Sequence, residues 1–481
     1  MLRGALMTIT ERLLHIESKY DLNTYEVDGF HPWTYTRFLI WRDISYTQAM
    51  PKEYDWKSPS AFIRNTFDVL RMPFRRCIPN VRNPLDICFV CSGRRLLSNG
   101  VYESRTTDDI AEVFHNSITL EHPYGYKHFF PAKTENLYYS DRILLGGTIS
   151  GMICRFFKKK LKRKLYKRFT LAFESPLREL YSNDENKICK AIDRMILFYF
   201  MYKPLYKMYD KFLSAVQPKL LVEDVHYRID TMVLNEVAKI KNIPVIELAH
   251  GMISDKLPMY NYSLSSEIKP FPDYLFVFSD FMIDTLSAPI PRDQVIPVGY
   301  PYFERQINLF KNSSIKTPNE KIIIFLSQPS ITIGFDKLAT KVQNIIASKG
   351  WKVVFKLHPR EFDRWREDYP LLVESDVEVI DNPQTHLYEL FVKCTALVGV
   401  NSTSIYEGIG FGLNAFIYNL PGSEDLNAVC NEGLAIKISC YEDLCEALLA
   451  EQRNDFCATD ALWKPNALYN MSNEIKRILN K

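Results

Sequence analysis

No stretch of the chain approaches the ~20 consecutive apolar residues that a membrane-spanning helix requires. The longest candidate, Met195 to Tyr202, is under half of that length. The N-terminus has no basic segment followed by an apolar one, so neither a secretory leader nor a membrane span is expected. Ten cysteines are scattered without a repeated spacing, which argues against a disulfide framework and for reduced thiols in a cytoplasmic compartment. The one C-x-x-C pair, Cys88 and Cys91, falls inside the strand-like run Asp86 to Ser92. Side chains three apart on a strand point to opposite faces, so this pair is not expected to share a metal. A large net charge is also lacking: 60 Lys and Arg against 57 Asp and Glu leave +3, so the field of the whole molecule selects no class of partner. There are no internal repeats and no low-complexity segments, which excludes a solenoid or a fibrous chain.

What is present is a soluble globular composition, 47% apolar and 24% charged, over 481 residues. That length exceeds one ordinary hydrophobic core and predicts two domains. Residues 1 to about 80 are rich in Trp, Tyr and Arg with weak periodicity. Phe30-His31-Pro32-Trp33 with Arg37, Trp41 and Arg42 could receive a ligand, although aromatic residues of this kind usually pack. A strand from Asp86 leads into Gly93-Arg94-Arg95, where a solvated loop is expected and an anion contact is the alternative.

Short apolar or β-branched runs then alternate with helical or polar stretches. In the N-terminal part, Lys219–Val222, Pro244–Leu248, Pro272–Phe278 and Val295–Val298 read as strands, with a helix from about Thr231 to Lys241. The polar stretch Lys311–Glu320 reads as a linker. Beyond it, strands are expected at Ile322–Phe325, Val353–Phe355, Val377–Ile380, Ala396–Val400 and Ala415–Tyr418. Tyr441–Ala450 reads as a helix, and Ser472–Leu479 as a last one with Ser472 its N-cap. The predicted organisation is α/β, with an N-terminal unit over 1–305, a C-terminal unit over 320–465 and a final helix over 466–481.

Between Arg155 and Arg168 nine of fourteen residues are Lys or Arg. On one helix Phe157, Leu161 and Leu165 would share a face amid lysines, the pattern of helices that lie on anionic membrane surfaces. A solvated basic face is the plainer alternative, and no nucleic-acid-binding module accompanies the patch. The aromatic run Leu197–Tyr202 is expected to pack in a core.

Ligands of parallel sheets sit beyond the carboxyl ends of the strands. In the C-terminal part those ends carry Lys356-Leu357-His358-Pro359 and Asn401-Ser402-Thr403-Ser404. Backbone N–H groups at a helix start favour an anion, and the hydroxyls of Ser402, Thr403 and Ser404 add donors, although ordinary capping uses the same residues. Glu407, one turn on, could accept hydrogen bonds from ribose hydroxyls. Gly408, Gly410 and Gly412 would let the helix pack closely. His358, with Lys356 or Arg360, could hold a phosphate. In the N-terminal part the strand ends carry Glu223-Asp224 and Glu247-Leu248-Ala249-His250-Gly251.

The H-P pair after a strand, followed by a Ser/Thr cluster and then Glu and Gly, resembles the donor domain of GT-B glycosyltransferases of bacterial surface-polysaccharide synthesis. Among these it is similar to capsule Kdo transferases and sialyltransferases that use CMP-sugars. The H-G pair at His250-Gly251, with Tyr260, Pro272-Asp273-Tyr274 and Val298-Gly299-Tyr300-Pro301, looks like the acceptor side of O-antigen and capsule transferases. An H-G pair together with an H-P pair also occurs in CDP-glycerol glycerophosphotransferases. The resemblance covers roughly 219–435. It implies two Rossmann-like doubly wound domains facing across a cleft, and transfer of a sugar from a nucleotide-sugar, CMP-linked before UDP-linked, to a glycan or lipid-linked glycan acceptor. The absence of any D-x-D triplet fits enzymes that hold the donor phosphate with protein groups, so neither a metal nor a bound cofactor is expected. The donor contacts implied are Lys356, His358, Pro359, Ser402, Thr403, Ser404 and Glu407. The candidate base is His250, with Glu247, Asp224 and Glu223 as alternatives. A cytoplasmic enzyme, peripheral on the inner face of the plasma membrane through 155–168, is the expected setting, with no nucleic-acid partner. A polyol-phosphate transferase and a non-catalytic glycan-binding protein are the rival readings.

Overall fold

A computed structural model describes residues 7–45, 75–79, 83–263, 267–313, 321–329, 334–450 and 458–481. Most of the linker expected at Lys311–Glu320 lies outside the described residues. Two compact units share the chain: the first runs to Val277, includes Met282–Val298 and regains Leu468–Lys481, and the second holds Phe278–Phe281 and Gly299–Ala467.

In the first unit, β1 (Ile87–Cys91) is followed by an antiparallel hairpin, β2 (Arg95–Ser98) and β3 (Val101–Ser104). Next come β4 (Ser117–Glu121), β5 (Leu137–Tyr139), β6 (Leu220–Glu223), β7 (Val245–Leu248), β8 (Tyr274–Val277) and β9 (Val295–Pro297). Seven of these form one parallel sheet in the order β5-β4-β1-β6-β7-β8-β9. Every residue of β1, β6 and β7 is buried, as continuous apolar strands covered on both faces must be. The two-residue strand period divides them between two cores. Cys88, Val90, Leu221 and Val245 pack with Leu205, Tyr209 and Phe212 of helix Glu185–Val216 and with Val233 and Val237 of helix Ile229–Ile240. Ile87, Phe89, Leu220, Val222 and Ile246 pack with Met471, Ile475 and Ile478 of helix Ala467–Leu479.

That last helix starts five residues before the expected Ser472. The Glu304 carboxylate takes the N–H groups of Asn466 and Ala467 at 2.7 and 2.8 Å, which leaves Ser472 inside the helix, donating to the Tyr469 carbonyl at 2.9 Å. A third core joins helices Ile9–Tyr20 and Pro32–Ser45 to the long helices, burying Trp33 and Phe173 completely. The tract around Trp33 and Arg37 is therefore packed, with Arg37 paired to the buried Glu17. Phe200, Met201 and Tyr202 are buried as well.

The second unit holds β10 (Lys321–Leu326), β11 (Trp351–Lys356), β12 (Glu378–Ile380), β13 (Ala396–Gly399), β14 (Asn414–Tyr418) and β15 (Ile436–Ile438), all parallel, in the order β12-β11-β10-β13-β14-β15. Its core includes Phe325, Phe355 and Val398 with helices Phe335–Ile346 and Tyr441–Leu449. In each sheet the strand order runs outward one way from the first strand and then reverses, so each unit is a Rossmann-like, doubly wound α/β fold. The reversals lie between β1 and β6 and between β10 and β13.

Candidate functional site

At the reversal point of the first sheet, Asp224 follows β6 and is buried. One of its carboxylate oxygens accepts from the Ser92 N–H at 3.1 Å, the Ser92 hydroxyl at 2.9 Å and the Thr106 hydroxyl at 3.2 Å. Burial pushes the Asp224 carboxyl up, against the opposing pull of His250 and of the Ser92 and Thr106 hydrogen bonds. His250, two residues beyond β7, is half-buried. Its Nε2 lies 3.3 Å from the Tyr227 hydroxyl, while its Nδ1 is buried with no protein partner. One ring nitrogen is thus held by the protein and the other keeps its hydrogen-bonding capacity.

Glu247 is placed differently. Its side chain has no exposed surface, and its two oxygens are engaged by the Tyr260 hydroxyl at 2.9 Å and by His226. Enclosed in this way it meets His226 and Tyr260 and not solvent. Glu223, paired in register with Glu247, is fully buried and accepts from Asn235 at 2.7 Å. Burial, and then the nearby Glu247 charge, pushes its carboxyl well up and favours the protonated acid.

Arg95 was expected in a solvated loop or at an anion. Instead it is buried, bonded to Asp108 at 2.8 Å and to Glu121. Glu121 and Asp141 in turn flank His128, which lies 2.8 Å from Asp141. The strand β4 that supplies Glu121 mixes Ser117 and Thr119 with Ile118 and Leu120, and the partners of Glu121 come from distant parts of the chain. Cys88 lies in the apolar core, and the Cys91 thiol faces Glu121.

In the second unit, His358 begins a short 3-10 turn, Pro359–Glu361. The His358 N–H donates to the Ser327 hydroxyl at 2.9 Å and to Glu361 at 3.0 Å, and Tyr369 donates to the same Glu361 carboxylate at 2.6 Å. His358 Nδ1 accepts the Arg360 N–H at 3.2 Å, so in the neutral ring the proton sits on Nε2, making that atom a donor. The exposed Pro359 fixes the first residue of the turn. Lys356 is half-buried, donates to the Asn382 carbonyl at 3.3 Å and lies over the Phe362 ring. Burial pulls its ammonium down despite Asp381.

The hydroxyl cluster precedes the seven-residue helix Ser404–Gly410. Ser402, not the N-cap Thr403, does the capping, accepting the Ser404 N–H at 3.3 Å. Glu407 lies in that helix, half-buried. Gly408 is required by close approach, since a Cβ there would stand 2.1 Å from Leu397, whereas Gly412 is required by its φ of +90°.

The turns that carry His358 and Ser402 are separated by one strand, because β10 runs between β11 and β13. Its end supplies Ser327 and Gln328, which sequence reasoning did not select. Gln328 Oε1 and Asn401 Oδ1, at the ends of the adjacent strands β10 and β13, are both buried without a protein partner. Glu361 was legible as the fourth residue of a capping box opening at His358; Asn401 heads the hydroxyl cluster at the end of β13, whereas Ser327 and Gln328 carried no motif.

No protein-family model matches the chain, and no curated protein matches it by sequence. Solved structures similar to it include the UDP-GlcNAc 2-epimerase from Methanocaldococcus jannaschii, at 12% identity over 82% of this chain and 99% of that one, with a TM-score of 0.48. A putative UDP-N-acetylglucosamine 2-epimerase from Listeria monocytogenes aligns at 9% identity over 82% and 95%, with a TM-score of 0.47. The wall teichoic acid polymerase TagF aligns at 11% identity over 88% and 95%, with a TM-score of 0.44.

Proposed function

We propose that the chain is a glycosyltransferase that moves a sugar from a nucleotide-sugar, CMP-linked before UDP-linked, to a glycan or lipid-linked glycan acceptor in bacterial surface-polysaccharide synthesis. The observation that carries the donor half is the pair of unanswered buried acceptors, Gln328 Oε1 and Asn401 Oδ1, at the reversal point of the second sheet beside the turn anchored by Ser327 and Glu361. Buried acceptors without partners are costly, and the hydroxyls of a ribose would satisfy both. His358 Nε2, Ser402 and the backbone after it donate to the leaving phosphate, so protein groups take the developing charge. Glu407 serves the ribose, and Thr403, Ser404 and Lys356 complete the pocket wall.

The acceptor half rests on His250 as base, taking the proton that the acceptor hydroxyl gives up, with the Asp224 carboxyl nearby. Glu247 holds His226 and Tyr260 in place. A phosphoryl transfer from a CDP-polyol would use the same turns.

Calorimetry with CMP, CDP, UDP, GDP and their sugars tests the donor half: His358→Ala and Ser402→Ala should each weaken nucleotide binding, and unchanged affinity in both overturns the assignment. His250→Ala and Asp224→Asn should leave nucleotide affinity intact and slow nucleotide release from the donor by ~10²- to 10⁴-fold. Full turnover in His250→Ala would move the base elsewhere. Product mass separates the two chemistries, because only polyol-phosphate transfer retains phosphorus.

A further inference from the structure

Residues Asp141–Phe157 and Lys159–Tyr181 form two helices that meet at Lys158, whose φ of −87° and ψ of 50° break the expected single helix. The break overturns the predicted apolar face. Leu165 is buried with Phe169 and Phe173 in a core, and Leu161 packs against them, whereas Phe157 is 76% exposed.

The first of these helices is inverted relative to a soluble one. Its glycines face inward: a Cβ on Gly147 would stand 2.3 Å from Leu205, and one on Gly151 would stand 2.6 Å from Met201, both on helix Glu185–Val216. Ile143 in its first turn is buried, but the large apolar residues of its C-terminal half face outward. Ile149, Met152, Ile153 and Phe156 recur at i, i+3, i+4 and i+7 and are 46%, 55%, 51% and 65% exposed, with Phe157 extending the row. A contiguous exposed apolar stripe marks a contact surface.

The second helix repeats the same spacing in cations. Lys160, Arg163, Lys164 and Lys167 are exposed, and with Lys158 and Leu161 they line an open groove of about 720 Å³ that contains no acidic side chain. Arg155 and Arg168, at the two ends of the basic run, are engaged by Asp193 at 3.0 Å and by the Tyr25 hydroxyl at 3.0 Å. Among the described residues no helix is long and apolar enough to cross a membrane. An apolar stripe joined end to end with a cationic one fits an interface that is itself apolar below and anionic above.

We propose that the elbow at Lys158 docks the protein on an anionic phospholipid surface, with Ile149, Met152, Ile153, Phe156 and Phe157 entering the acyl boundary and Lys160, Arg163, Lys164 and Lys167 meeting headgroup phosphates. The inference deepens the proposed function by supplying the route to a lipid-linked acceptor. Its test needs neither donor nor acceptor, so the two readings fail separately.

Flotation of the full chain with phosphatidylcholine vesicles, with and without phosphatidylglycerol, decides it. The protein should float with the anionic vesicles, not with the neutral ones, and salt should release it. The double variant Phe156→Ser/Phe157→Ser should lower partitioning by about tenfold or more, and Lys160→Glu/Lys164→Glu should remove the preference for phosphatidylglycerol. Because all four side chains are exposed, thermal unfolding should be unchanged. A Phe157→Trp variant should be quenched by lipids brominated on the acyl chain. Flotation unaffected by the serine variant, no dependence on anionic lipid, or absence of quenching overturns the proposal. Self-association in solution that is lost with the serine variant also overturns it and assigns the stripe to a second copy of the chain.

Discussion

The carboxyl end of the first sheet and that of the second both gather polar side chains, yet they treat charge in opposite ways. In the first, Arg95, Glu121, Asp108, His128 and Asp141 answer one another inside the protein, and Asp224 and His250 are set beside that paired network. In the second, apart from the buried Glu361 that anchors the His358 turn, the groups are hydroxyls, amides, one histidine, one lysine and the half-buried Glu407, with no buried ion pair among these described residues. A paired network rigidifies its surroundings at the cost of removing charges from water, and it fails when one partner goes. A set of half-buried donors contributes little to stability and leaves its bonding capacity for a ligand.

The largest effect should come from breaking the network. Arg95→Met strands Asp108 and Glu121 and should cost about 3–5 kcal/mol in urea unfolding, whereas Lys356→Met in the second unit should change stability by no more than about 1 kcal/mol. Equal costs would erase the contrast.

The next effect separates two histidines within the first unit. Burial pulls the His122 imidazole down to about 4 from 6.5. A histidine kept neutral in the fold and free to charge when unfolded contributes stability that is complete above pH ~6.5 and is lost as the pH falls toward 4. Acidification across that window should cost about 3 kcal/mol, and His122→Asn should flatten the slope. For His128 burial acts downward, but the hydrogen bonds to Asp141 and Glu121 prevail and raise it above 6.5. Its contribution is complete below pH ~6.5 and is lost as the pH rises through the raised value, so His128→Asn should remove loss on the alkaline side. Urea midpoints measured against pH check both signs.

The smallest effect sharpens the second site. Ser327→Ala removes one acceptor from the His358 N–H and should cost about 1 kcal/mol, together with weaker nucleotide binding by calorimetry. A stability loss with full affinity would make the anchor purely structural.

Elements whose signal is local were readable from the residues alone. Continuous apolar runs bounded by polar turns located ten strands of the two parallel sheets, because a strand covered on both faces must be apolar throughout. The same logic marked Asp224, His250, His358 and Ser402 as strand-end residues. The strands β4, β5 and β15 escaped, since each has polar residues within or beside a short apolar stretch, and the final helix began earlier because its cap, Glu304, comes from about 160 residues away in the chain.

Which strand ends are neighbours was set by packing across the whole fold. That packing placed β10 between β11 and β13, and so brought Ser327 and Gln328, which carry no motif, into the candidate donor site beside Asn401. It also enclosed Glu247 with His226 and Tyr260, which burial alone accomplishes. At the basic run, composition specified the cations, but one broken dihedral at Lys158 decided which apolar residues face the core and which face out. Strand order, enclosure and helix facing depend on contacts between residues far apart in the chain, and no local pattern encodes them.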